Sequence, residues 1–254
     1  MKKTLYDYKN AIMKLPIKDK YTKEELLTKD FLIEKSNKIE IYYASHNEYI
    51  NSNAKIFIIG ITPGFQQMST SIATARKELS LGTDIKDIQY KCKYSGRFSG
   101  IIRKNIISML DEIKLNKALN IVSCNELFSS KDYLLHTVSL IPYSVFINKQ
   151  NYSGHSPKLI KNNFLMKYVY ENFIDELESL HNHENVLLIP LGRAVEEVLI
   201  KLKAEKIISS NQLLQGFPHP SGANVNRLTQ FRENKATMTD FILNKINLTV
   251  SQRS

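Results

Sequence analysis

From about residue 54 to residue 245, short apolar runs alternate with longer stretches whose apolar residues recur at helical spacing. That alternation restricts the fold more than any other feature of the chain. Lys55-Ile-Phe-Ile-Ile59 is β-branched and closed by Gly60, which reads as a buried strand. Ile101, Ile102, Ile106, Ile107, Met109, Leu110 and Ile113 stripe an amphipathic helix over about 100–113. Leu119–Ser123 reads as a second strand, Phe164–Leu180 as a helical stripe and Val186–Ile189 as a third strand. Ala194–Leu202 stripes another helix, Leu213–Gly216 reads as a fourth strand, and a helix over about 228–245 follows. Strands separated by helices imply right-handed crossovers and parallel pairing. The expected class is α/β, three layers around a central, mainly parallel sheet of about four strands.

Residues 1–53 differ in character. They alternate Lys with Glu and Asp among scattered Leu, Ile, Phe and Tyr, and read as a solvent-facing helical extension. Residues 54–245 form the expected α/β domain, and 246–254 a tail. Hydrophobic residues make up 43% of the 254, enough for a substantial core and against wholesale disorder. The two cysteines, Cys92 and Cys124, are too few for a disulfide framework, a zinc ribbon or a four-cysteine iron–sulfur cluster. No metal site and no cofactor is expected, and His181-Asn-His183 reads as surface loop. Asp7, Lys9, Lys14 and Lys18 interrupt any signal-peptide core, and the apolar runs are too short to span a bilayer, so a cytoplasmic, soluble protein with no membrane partner is expected.

The formal charge of +10 points to an anionic partner, nucleic acid before membrane. Lys86–Lys104 and Lys149–Lys167 are basic and interleaved with Tyr90, Tyr94, Phe98 and Tyr152-Ser-Gly154, the composition of a phosphate-tracking surface with stacking platforms.

Two motifs carry chemistry. The first strand runs into Gly60-Ile-Thr-Pro-Gly64, where Pro63 fixes φ and the glycines permit a sharp turn and close approach to a ligand. The fourth runs into Gly216-Phe-Pro-His-Pro-Ser-Gly-Ala-Asn224, which holds His219 on a backbone stiffened by two prolines. Ser221, Gly222 and Asn224 then offer hydroxyl, bare backbone and amide, all suited to phosphate or base contacts. In α/β sheets ligands gather where such loops leave the strands.

Gly60-x-x-Pro-Gly64 after the first strand and His219-Pro-Ser-x-x-Asn224 after the last resemble the uracil-DNA glycosylase superfamily. Asn120-Ile-Val-Ser-Cys-Asn125 is similar to the family's strand that presents a base-reading Asn, and Pro190-Leu-Gly-Arg-Ala194 to its strand–Leu-Gly–helix entry. The resemblance spans residues 54–245 and implies a uracil-DNA-glycosylase-like fold. It also implies a monofunctional, monomeric enzyme without metal that flips uracil or a modified pyrimidine out of single- or double-stranded DNA and hydrolyses its N-glycosidic bond. Carried over by position, His219 would donate to the departing base's O2, and Asn125 would read the pyrimidine edge. Phe65 would stack on the base, while Pro63, Gly64, Ser221 and Gly222 would press on the DNA backbone. Val225, Asn226 and Arg227 take the place of the wedge that fills the vacated stack. Gly60, Ile61, Tyr152 and Asn224 complete the expected contact surface.

One position departs from the family pattern. The third residue of the first motif usually supplies Asp or Asn to position the water, and some branches place Glu at the second; here they are Thr62 and Ile61. A Thr hydroxyl can orient water but does not accept its proton at neutral pH. With His219 helping the base leave as an anion, orientation can suffice; otherwise Glu126, beside Asn125, is a candidate carboxylate, and Asp84 and Asp87 are looser ones. Two other readings stay open: a catalytically silent reader of a modified base, and a nucleoside or nucleotide hydrolase using the same pocket.

Overall fold

The computed structural model describes residues 2–180 and 183–251, with side chains for 2–180 and 184–245. His181 and Asn182 lie outside the described residues, as do the side chain of His183 and those of residues 246–254. The chain opens with helices α1 (Leu5–Lys14) and α2 (Lys23–Leu26) and strands β1 (Leu32–Ser36), β2 (Ile39–Tyr42) and β3 (Ile56–Gly60). Helices α3 (Phe65–Ser80), α4 (Ile85–Gly96), α5 (Gly100–Glu112) and α6 (Leu115–Ala118) lead to β4 (Leu135–Ser139), β5 (Ser144–Ile147) and β6 (Gln150–Asn151). Then come α7 (Asn163–Tyr168), a π-helical stretch over Val169–Ile174, α8 (Asp175–Glu178), β7 (Leu187–Pro190), α9 (Arg193–Ala204) and α10 (Arg227–Ser251). The protein is mixed α/β. Among the described residues no helix is long and apolar enough to cross a membrane.

The chain divides into two compact units, at other places than residue 53. The first comprises Met1–Ile50, Gly60–Arg97 and Val138–Glu178; the second comprises Asn51–Ile59, Phe98–Thr137 and Ser179–Ser254.

The first unit holds an antiparallel sheet in the order β1-β2-β5-β6. Residues 1–53 are therefore not helical throughout. Ile39 and Ile41 point one way from β2 and Glu40 the other, a strand alternation that the charged Lys35–Glu40 pair obscures. The core joins Leu5, Tyr8 and Ile12 of α1 to Met68, Ile72 and Ala75 of α3, Ile88 and Cys92 of α4, and Phe146 of β5. Tyr8 stacks on Tyr43 at a centroid distance of 4.0 Å.

The parallel sheet runs in the order β4-β3-β7. β3 and β7 pair from Ile56↔Leu187 to Ile59↔Pro190. β4 runs parallel on the other side, with Lys55 N–H to Leu134 O at 3.0 Å and Leu140 N–H to Gly60 O at 2.9 Å. Ile56, Phe57, Ile58 and Ile59 are all buried, as expected of a strand covered on both faces. In the second unit Ile56, Ile58, Leu187 and Ile189 pack with Ile106, Met109 and Leu110 of α5 and Phe231, Met238 and Ile242 of α10.

Two expected strands differ. Leu119–Ser123 is not a strand: Asn120 turns left-handed at φ 55 and Ile121 N–H closes onto Asn116 O, so the segment ends α6. The strand beside β3 is β4, whose His136, Thr137 and Ser139 are buried polar residues. Leu213–Gly216 reduces to one parallel bridge, Leu188↔Leu213. The α10 helix continues through residues 246–251, which were read as tail.

Candidate functional site

In the second unit, β7 ends at Pro190 and the chain turns through Gly192 into α9. Gly192 has φ 87 and ψ 171, a backbone region essentially reserved for glycine. A Cβ here would lie 2.9 Å from the Cβ of His219 and 3.2 Å from its backbone N. The Gly192 N–H donates to Phe217 O at 3.1 Å. The Pro190–Ala194 and Gly216–Asn224 motifs thus meet, and the bare glycine is what lets the His219 segment reach the turn.

Three helices hold that loop. Gly216 opens it at φ 85, its N–H donating to Glu196 Oε1 of α9 at 3.0 Å, while Asn234 of α10 occupies the space a Cβ would take. Burial raises the Glu196 carboxyl above its ordinary pKa, and the Gly216 N–H opposes that rise. Asn105 of α5 donates from Nδ2 to Pro220 O at 2.7 Å. Arg227, the first residue of α10, donates to Ser221 O at 3.0 Å, and Asn224 Nδ2 donates to His219 O at 3.2 Å. Gly192, Glu196 and Asn105 were not among the expected site residues; only Gly192 lies in a motif that marked it.

His219 is exposed, and its Nδ1 accepts the Ser221 N–H at 3.3 Å. With Nδ1 as acceptor, the proton of the neutral ring sits on Nε2, so the imidazole presents a donor there. Gly222 and Asn226 are exposed, Ser221 and Asn224 partly so, and Val225 at the loop's tip is 87% exposed.

Asn125 belongs to the same unit but stands at the start of a 3₁₀ turn, Cys124–Phe128, rather than at a strand end. Its side chain is exposed and its N–H bonds Ser123 Oγ, which is itself held by Asp111. Glu126 accepts the Val122 N–H at 2.8 Å, a local turn contact.

In the first unit, Gly60-Ile-Thr-Pro-Gly64 lies against the segment following β4, with Gly60 O and Ile61 O accepting from Leu140 and Ile141 N–H. The Thr62 hydroxyl donates to Tyr143 O and accepts from Val145 N–H at 3.0 Å. It therefore ties the turn after β3 to the start of β5. Pro63 is buried, and Gly64 caps α3, its N–H on Gln67 Oε1 at 3.2 Å. Phe65 N–H donates to Asn151 Oδ1 at 3.0 Å. The half-buried Phe65 ring meets the Phe146 ring edge-on, with Lys23 Nζ 5.9 Å from its centroid. Asn151, not Tyr152, touches this turn. Tyr152 is buried with its hydroxyl on Pro157 O at 2.6 Å, so it offers no stacking face to a base. Asp84 caps α4 through Lys86 N–H, and Asp87 is exposed on the same helix.

The basic stretch 86–104 does not form one solvated face. Lys93 and Arg97 are buried, Lys91 pairs with Glu78 at 2.7 Å, and the Arg103 guanidinium lies over the Phe128 ring. Among the described residues no three His, Cys, Asp or Glu side chains gather as a metal site.

No protein-family model and no solved structure matches the chain. It is 41% identical over 234 residues to the uncharacterized protein YoxB of Bacillus subtilis (strain 168), an alignment covering 88% of this chain and 91% of that protein. On that identity and coverage, the chain belongs to the YoxB family.

Proposed function

We propose that the protein is a DNA glycosylase that extrudes uracil or a modified pyrimidine and hydrolyses its N-glycosidic bond. The observation that carries the reading is His219. Its loop is pinned by Gly192, Asn105 and Arg227, and the Ser221 N–H on Nδ1 selects the tautomer that donates from Nε2. A donor held in this way suits a pyrimidine O2, where negative charge grows as the C1′–N1 bond breaks. One such preorganised donor contributes about 3–4 kcal/mol to a transition state. The fold lends support, because the first strand of the parallel sheet lies between the second and third, an order that creates a switch point where ligands bind. Val225, exposed on a tethered loop, has the apolar character of a side chain that enters a base stack.

In this reaction His219 stabilises the departing base as an anion, and water then attacks the electron-poor sugar. The Thr62 hydroxyl is held between Tyr143 O and Val145 N–H, which fixes its orientation. The test is base release from oligonucleotides carrying uracil, mismatched thymine or modified cytosines. His219→Ala is expected to lower the rate by about 10²–10³ while leaving non-specific DNA binding in place. Asn125→Ala is expected to alter which base is released. No release from any of these substrates by the intact protein overturns the reading.

The same Thr62 geometry favours a second reading, a reader that flips and holds a modified base without cleaving it. Tight, base-dependent binding with no released base in extended incubations would select it.

A further inference from the structure

The outer face of α4 has a composition its neighbours lack. The helix buries Ile88, Cys92 and Lys93 and turns Lys86, Asp87, Tyr90, Lys91 and Tyr94 to solvent. Tyr90 and Tyr94 are 40% and 50% exposed, yet they are not isolated. Their ring centroids are 6.2 Å apart, Tyr49 meets Tyr90 edge-on at 5.1 Å, and the Arg97 guanidinium lies 4.2 Å from the Tyr94 centroid. Three rings thus follow one another along a single face of the first unit, with the buried Arg97 guanidinium packed against Tyr94.

Single exposed aromatics need no explanation, but a contiguous row of them marks an interaction surface. What it presents is aromatic and cationic: rings at helical spacing, with the exposed Lys86 and Lys91 on the same helix. That is the chemistry that takes unstacked bases on rings and backbone phosphates on ammonium groups. Duplex DNA shields its base faces in the stack, so the row selects single strands.

We propose that Tyr49, Tyr90 and Tyr94 form a stacking track for single-stranded nucleic acid. The track contains neither His219 nor Asn125, and it stands whether or not the protein excises a base.

The test is fluorescence anisotropy of a labelled oligothymidylate of about 16 nucleotides, with a duplex of equal length as comparison. The intact chain is compared with Tyr90→Ala/Tyr94→Ala and Tyr90→Phe/Tyr94→Phe. Loss of stacking is expected to weaken single-strand binding by roughly ten-fold per ring in the alanine variant, with duplex binding changed by less than about two-fold. The phenylalanine variant keeps both ring faces and is expected to bind as the parent does. Three results overturn the proposal: no single-strand binding by the parent, equal loss for single strand and duplex, or equal loss in both variants. Base release, measured on the same preparations, reports separately on the His219 reading.

Discussion

Thr62 and Gly192 show how one side chain, or the lack of one, decides what a turn can do. The Thr62 hydroxyl makes a donor and an acceptor bond across the turn after β3. Thr62→Val keeps the shape and strands both partners, so urea unfolding should show a loss of about 1–3 kcal/mol, largely restored by Thr62→Ser. An unchanged midpoint in the valine variant would remove the structural role argued for this hydroxyl. Gly192→Ala sets a Cβ 2.9 Å from that of His219 in a glycine-only backbone region. The strain, about 1–3 kcal/mol, falls on the loop that positions the imidazole. The expected outcome is a base-release rate reduced toward that of His219→Ala, with a much smaller change in duplex affinity; a variant with parental rate would show that the loop does not depend on this approach. His219 and its flanking prolines are legible in the sequence because proline and glycine act through local backbone geometry. The hydroxyl partners of Thr62 are not, because Tyr143 and Val145 come from a strand about eighty residues away, which local pattern does not encode.

At the scale of elements, α4 carries an ionisable group where a hydrophobic stripe would ordinarily stand. Lys93 is buried with Nζ 3.1 Å from Asn47 Oδ1, and Asn47 Nδ2 in turn donates to Pro142 O at 3.2 Å. Burial lowers the Lys93 pKa from 10.5 to about 8, against the upward pull of Glu176, and the Lys2 ammonium adds to the lowering. Between those two values the unfolded chain binds the extra proton, so this group makes stability rise with pH across the interval. Cys92, whose thiol burial pushes up to about 12, acts in the opposite sense above its ordinary 9.0. Lys245, which burial also lowers to about 8, acts in the same sense, so the Lys93 contribution between pH 8 and 9 is isolated by comparison with a Lys93 variant. Unfolding free energies of the parent and Lys93→Met, measured across that interval, should differ by a component whose slope the variant lacks; parallel curves would refute the depressed pKa. The helix itself is readable from its spacing. β4 is not: Leu-His-Thr-Val-Ser carries three polar residues, and its burial comes from sheet pairing and from contacts such as Phe57 on His136, 4.7 Å between ring centroids. Leu119–Ser123 misleads for the converse reason. Its apolar residues suggest a strand, whereas the left-handed turn at Asn120 spends them closing α6.

For the whole molecule, the consequential fact is how the chain is divided. Each compact unit is assembled from three separate stretches, so neither corresponds to a continuous piece of sequence. The core of the second unit requires Ile56 and Ile58 from β3, Ile106 and Leu110 from α5, Leu187 and Ile189 from β7, and Phe231 and Met238 from α10. A fragment ending at Glu178 contains every stretch of the first unit but lacks β7, α9 and α10. It leaves the β7-facing edge of β3 unpaired, with an apolar run of Ile56, Phe57, Ile58 and Ile59 beside it. Unpaired apolar edges recruit other chains. Residues 1–178 expressed alone should therefore aggregate or lack protected amides at Phe57 and Ile59, which face β7, in hydrogen exchange, whereas those amides should be among the slowest in the intact chain. A second sample, in which residues 179–254 are supplied as a separate polypeptide, distinguishes loss of the strand from loss of covalent connection: protection should return as β7 pairs again with β3. Strong protection of Phe57 and Ile59 in the fragment by itself would mean that β3 finds its stability without β7, and that the parallel sheet does not depend on the interleaving that the full chain displays.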